Sequence, residues 1–109
     1  MTREDYKRET EDLLQLLLAA GFLPVMVDNR EHAMQWSGSL VDENGLDQEF
    51  IAEAMATDEA VIRVSLNGKK YSLFLVYGNG AGELVCDYTA DVPELEAVVV
   101  SFYSRNYKD

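Results

Sequence analysis

Residues 77–88 read YGNGAGELVCDY, with Gly78, Gly80 and Gly82 set into five positions between two apolar runs. Glycine-rich turns cradle phosphates when their backbone N–H groups converge at a helix N-terminus, often with a lysine at hand. Here Glu83 and a strand-like ELVCDYT follow the glycines. No Lys-Ser/Thr pair follows, and the spacing is G-x-G-x-G, not the dinucleotide pattern G-x-G-x-x-G. Glu83 and Asp87 would also repel a phosphate. The stretch reads as an exposed hairpin loop whose glycines adopt positive φ.

His32 is the single histidine, and Asp28 and Glu31 lie in the same turn. Two carboxylates and an imidazole are a metal-ligand set, but there is no H-E-x-x-H and no second histidine. As a general base, His32 has no nucleophile or orienting partner within reach in the sequence. Cys86, the single cysteine, excludes an internal disulfide and a cysteine-based zinc site. Its alternation with Val85 and Asp87 puts it on a strand face with Leu84 and Tyr88, as a small buried hydrophobe. A catalytic thiolate needs a cationic or helix-terminal setting, and the local sequence is acidic. Tyr103 and Tyr107, four apart beside Arg105, have the composition of interface anchors. No catalytic residue, metal ligand or cofactor site is expected, and the reading is a non-enzymatic protein.

Charge is the strongest signal. The chain has 20 acidic and 9 basic residues, a net charge of −11, beyond the magnitude of roughly 2–8 that suffices to keep a small domain soluble. Residues 1–30 contribute −2 and residues 63–109 contribute −1. Residues 31–62 hold eight acids and no lysine or arginine: Glu31, Asp42, Glu43, Asp47, Glu49, Glu53, Asp58 and Glu59. Nucleic acids and anionic membranes would be repelled, and a basic protein surface attracted. The eight acids are therefore the expected partner-binding residues of an adaptor or inhibitor. Carboxylates on a turn and a helix can stand in for phosphates in the groove of a nucleic-acid-binding protein. Small acidic inhibitors of phages and mobile elements act this way as DNA mimics, an analogy of class and not of motif. A second reading is an acidic homodimeric chaperone that binds through an apolar helix face around Leu14 and Leu18; a third is a small enzyme with an unrecognised site.

The elements that position these residues follow from periodicity. A helix is expected from the Thr2 cap, with Asp5 as a capping-box partner and a Glu4–Arg8 pair, to Ala20 and a stop at Gly21. Its LLQLLLAA half is too widely apolar for one small sheet. Residues 22–28 read as an edge strand with Pro24 near its start. Residues 33–40 are its partner, with Met34 and Trp36 on one face. A short helix follows at 47–55, with Phe50, Ile51, Ala54 and Met55 inward. Residues 60–66, the type I′ turn Asn67-Gly68, the doubly apolar strand 70–77 and the strand 83–89 make a meander. The 70–77 run reads as the most buried, central strand. Asp91 caps a last helix with Pro93 in its first turn and Glu94 completing the box.

The order α-β-β-α-β-β-β-α predicts an α+β domain over residues 1–109, with an antiparallel sheet of about five strands and helices on one side. At 109 residues and 48% apolar content, one domain with a real core is expected. The charged N-terminus lacks the apolar segment of a signal peptide, and Leu13–Val27 is interrupted and too short for a span. A reducing cytoplasm is the expected setting.

Overall fold

The computed structural model describes residues 1–36, 41–42 and 45–107. Helix α1 (Arg3–Ala19) starts where the sequence demands. The Thr2 hydroxyl accepts from the Asp5 N–H at 3.1 Å, and the Asp5 carboxylate accepts from the Thr2 N–H at 2.9 Å. The backbone bond from Thr2 is the main cause that holds the Asp5 carboxyl below its ordinary value. The helix ends in a Schellman motif. Gly21, at φ +92°, donates to the Leu18 carbonyl and Phe22 to the Leu17 carbonyl. Phe22 and Leu17 are both fully buried there. The ion pair of the first turns is Arg8 with Asp5, at 3.3 Å, and not Arg8 with Glu4.

Strands β1 (Leu23–Asp28), β2 (Ala33–Gln35), β5 (Glu59–Leu66), β6 (Lys69–Val76) and β7 (Val85–Tyr88) form an antiparallel sheet in the order β2-β1-β5-β6-β7. Among the described residues, strands β3 (Val41–Asp42) and β4 (Gly45–Leu46) pair only with each other. Helix α2 (Gln48–Ala54) and helix α3 (Pro93–Asn106) complete the single α+β domain. One sheet face bears Val27, Ile62, Val64, Leu73 and Leu75, all essentially inaccessible. They merge with Leu13, Leu14 and Leu17 of α1, Phe50 and Ile51 of α2, and Leu95 and Phe102 of α3 into one core. The wide apolar surface of α1 is thus consumed internally, because α1 packs on α3 as well as over the sheet.

The expected hairpin is present: Asn67 and Gly68 have φ of 52° and 80° between β5 and β6. Other details differ from the sequence reading for local reasons. β1 is internal, but β2 pairs with it only from Met26 to Asp28. Pro24 therefore sits beyond the reach of β2, beside a bulge in the β1–β5 register, where its missing N–H leaves no gap in the ladder. The middle position belongs to β5, not β6. A bulge between β6 and β7 leaves Cys86 as the extra residue between Val85 and Asp87, and its side chain is exposed. Asp91 has φ +63° and does not cap α3. Val92 occupies that position without a side-chain bond, and Pro93 follows it. The expected strand residues 37–40 lie outside the described residues.

Candidate functional site

The turn from β1 to β2 is built on Asn29, which is buried. Its Oδ1 accepts from the N–H groups of Glu31 and His32, both at 3.0 Å. Its Nδ2 donates to Glu53 twice, to the backbone carbonyl at 3.2 Å and to Oε2 at 3.1 Å. Its own carbonyl accepts from the Thr57 hydroxyl at 2.5 Å. The Asn29 side chain thus ties the turn to α2, and its backbone carbonyl ties the turn to the segment that enters β5. Arg30 takes a positive φ of 77° in this turn, and its N–H is held by Asp28 Oδ1 at 2.8 Å.

The consequence is a carboxylate-rich end of the molecule. Glu31 is exposed on the turn. Glu53 Oε2 also lies 3.4 Å from His32 Nδ1. Glu59 lies 4.0 Å from the Arg30 guanidinium. Asp58 is exposed, and its carbonyl accepts from the Tyr77 N–H at 2.8 Å. Antiparallel pairing places Asp87 and the end of β6 at the same end of the sheet, although β7 is the edge strand opposite β2. Four of the eight expected partner-binding residues, Glu31, Glu53, Asp58 and Glu59, are gathered there. Glu49 is exposed on α2. Asp47 is the N-cap of α2 and accepts from the Glu49 and Phe50 N–H groups at 2.9 and 3.4 Å. Asp42 belongs to the small β3–β4 pair, and Glu43 lies outside the described residues.

The acids therefore divide into two kinds. Asp47 and Glu53 hold the fold together, so reversing their charge would damage the scaffold as well as the surface. Glu31, Glu49 and Asp58 face solvent with no side-chain bond to the rest of the described chain. Sequence reasoning missed Asn29 as the organiser and Glu53 as the orienting partner of His32, which are 24 and 21 residues away along the chain. Among the described residues no group of three or more His, Cys, Asp or Glu side chains is placed to hold a metal ion.

The glycine loop is pinned rather than free. Gly78, Gly80 and Gly82 have φ of 119°, 116° and 78°. A Cβ at Gly82 would strike the backbone of Tyr107 and Asn106 at the end of α3. The Gly82 N–H donates to both oxygens of buried Glu9 at 3.2 Å. Burial raises the Glu9 carboxyl above its ordinary value against the opposing pull of that bond. Tyr77, at the start of the loop, bonds the Thr10 hydroxyl at 3.0 Å and stacks edge-on with Tyr6, and burial pushes its hydroxyl up to about 12. Asp12 accepts from Asn106 at 2.8 Å and pairs with Arg105 at 2.7 Å. Of the loop's N–H groups, that of Gly82 is spent on α1 and that of Glu83 on the Gly80 carbonyl within the loop.

No family model, curated protein or solved structure matches this chain. Among the described residues no helix is long and apolar enough to cross a membrane.

Proposed function

We propose that the protein is a non-enzymatic interaction module, an adaptor or inhibitor whose acidic end docks on a basic protein surface. The observation that carries this reading is the gathering of Glu31, Glu53, Asp58 and Glu59 around the Asn29 turn, with Arg30 among them and Arg3 on the Asp58 side. A cluster of one sign at the end of a small domain focuses its field outward and speeds encounter with a partner of opposite sign. A nucleic-acid-binding groove is the basic surface that such a carboxylate array suits, with the acids in place of phosphates. The apolar-face alternative has less to rest on, because Leu14 is fully buried and Leu18 packs against the protein's own core.

The test compares the wild-type protein with Glu31→Lys/Glu49→Lys/Asp58→Lys as baits in a cell lysate. These three positions lie clear of the bonds that hold the fold, so the variant is expected to keep its melting temperature. The expected result is a basic protein retained by the wild type at low salt, released near 0.5 M salt, where screening falls to roughly 4–5 Å, and not retained by the variant. Equal retention by both baits, or a complex that survives the salt wash, would overturn the reading.

A further inference from the structure

The run KYSLFLVY has the composition of a strand buried on both faces, yet the helices cover only one face of the sheet. The register identifies what lies on the other. Four rows cross it. Leu23, Ser65 and Lys70 form the first, and Met26, Arg63 and Ser72 the second. Asp28, Val61, Phe74 and Asp87 form the third, and Glu59 and Val76 the fourth. Leu23 is 61% exposed, and Met26, Val61, Phe74 and Val76 are half-buried. A shallow cavity of about 380 Å³ lies elsewhere, at the α1 N-terminus, but one of about 290 Å³ opens on this face against Val61 and Phe74.

Charge on this face is segregated along the strands. Lys70 and Arg63 occupy the two rows nearest the Asn67-Gly68 turn, and Asp28, Asp87 and Glu59 the two rows at the opposite end. We propose that this uncovered face is the interface of an isologous homodimer, its occupant a second copy of this chain. A two-fold axis in the interface, perpendicular to the strands, exchanges first row with fourth and second with third. It sets Arg63 beside Asp28 of the second copy and Lys70 beside its Glu59, each contact made twice, with the apolar stem of Arg63 over Val61 of the second copy and Phe74 against its Ser72. On a chain of net charge −11, the two basic and three acidic residues of these rows leave this face only one charge from neutral. The size fits a weak dimer. The five strands, of 6, 3, 8, 8 and 4 residues, at about 3.3 Å per residue and about 4.8 Å between strands, give roughly 460 Å² per protomer. The total of about 900 Å² lies just below the roughly 1,000 Å² of a stable specific interface, in the range of weak association. The proposal shares Glu59 with the acidic end described above, but Glu31, Glu49 and Asp58 lie off these rows, so the variant of those three tests the function without touching this face.

Sedimentation velocity of the full chain in about 0.15 M salt, where charges are screened beyond roughly 8 Å, reads the outcome. The wild type is expected to pass from monomer to dimer across the micromolar range. Arg63→Glu/Lys70→Glu and Asp28→Lys/Glu59→Lys are each expected to stay monomeric, because each turns the cross-dyad pairs into like-charge contacts. An equimolar mixture of the two variants is expected to recover the dimer, since every pair is then opposite again. Asp28 also bonds the Arg30 N–H. The basic-end variant, whose residues make no ion pair or side-chain hydrogen bond among the described residues, therefore decides the matter if the other loses stability. A wild type that stays monomeric into the upper micromolar range would overturn the proposal. So would a dimer that both variants retain, or one abolished instead by Val100→Glu on the outer face of α3.

Discussion

At the scale of single residues, Glu9 is a carboxylate placed where burial and a hydrogen bond oppose each other. It is 2% exposed, and both its oxygens face the Gly82 N–H. Its neighbours on α1 are Asp5, Arg8 and Asp12, and burial is the largest influence, with the net direction upward. The folded protein therefore holds a proton on Glu9 more tightly than the unfolded chain does. The linked stability is fully present below the unfolded carboxylate value, about 4.3, and is lost as pH rises through the raised folded value. Glu9→Gln keeps an oxygen for the Gly82 N–H and removes the ionisation. Its melting temperature is expected to match the wild type near pH 4 and to exceed it at pH 7, followed by circular dichroism across that range. A variant less stable than the wild type at pH 7 would mean that the charged bond to Gly82 outweighs the cost of burying the carboxylate. Gly82 itself cannot vary in the same way, because a side chain there meets the backbone of α3.

Elements were legible in proportion to how local their causes are. The Thr2–Asp5 capping box, the Gly21 stop, the Asn67-Gly68 turn and the inward face of α2 each depend on residues within a turn of one another, and all are present. Bulges depend on the partner strand, so the exposure of Cys86 and the internal position of β1 could not be read from one strand alone. The alternation that put Cys86 inward holds only while the register is unbroken. The candidate site was half legible for the same reason. Its acids were visible as a charge run, but which of them serve the fold depends on Asn29 and on the α2 cap. That division gives a direct test at this scale. Asp47→Ala removes the acceptor for two N–H groups of a seven-residue helix and is expected to cost about 1 kcal/mol. In a domain of this size that lowers the melting temperature by about 4–8 °C. Glu49→Ala, next along the helix and exposed, is expected to change it by less than the scatter of surface substitutions, about 0.5 kcal/mol. If the two variants melt together, Asp47 is a surface acid like Glu49 and belongs with the partner-binding set.

For the molecule as a whole, the imbalance of 20 acids against 9 bases sets a stability that depends on ionic strength. The chain measures 37 × 29 × 28 Å. At about 0.01 M salt the screening length is roughly 30 Å, so every carboxylate feels every other; at about 1 M it is roughly 3 Å, and they do not. Self-repulsion of this kind favours expansion of the chain. Against it stand a few ion pairs, and most are open to solvent: the basic partners Arg8, Arg30 and Arg105 and the imidazole of His32 are each more than half exposed. Exposed pairs contribute little, on the order of 0–1 kcal/mol each, so screening them loses less than screening the repulsion gains. Thermal melts in sodium chloride at low protein concentration, where the monomer dominates, are therefore expected to shift upward from about 0.01 M to about 1 M. Relief of about 1 kcal/mol would appear as a rise of about 4–8 °C. A falling melting temperature would place the greater share of the electrostatic energy in specific pairs, with Arg105–Asp12 between α3 and α1 the first to examine, because Asp12 is the least exposed partner of the four.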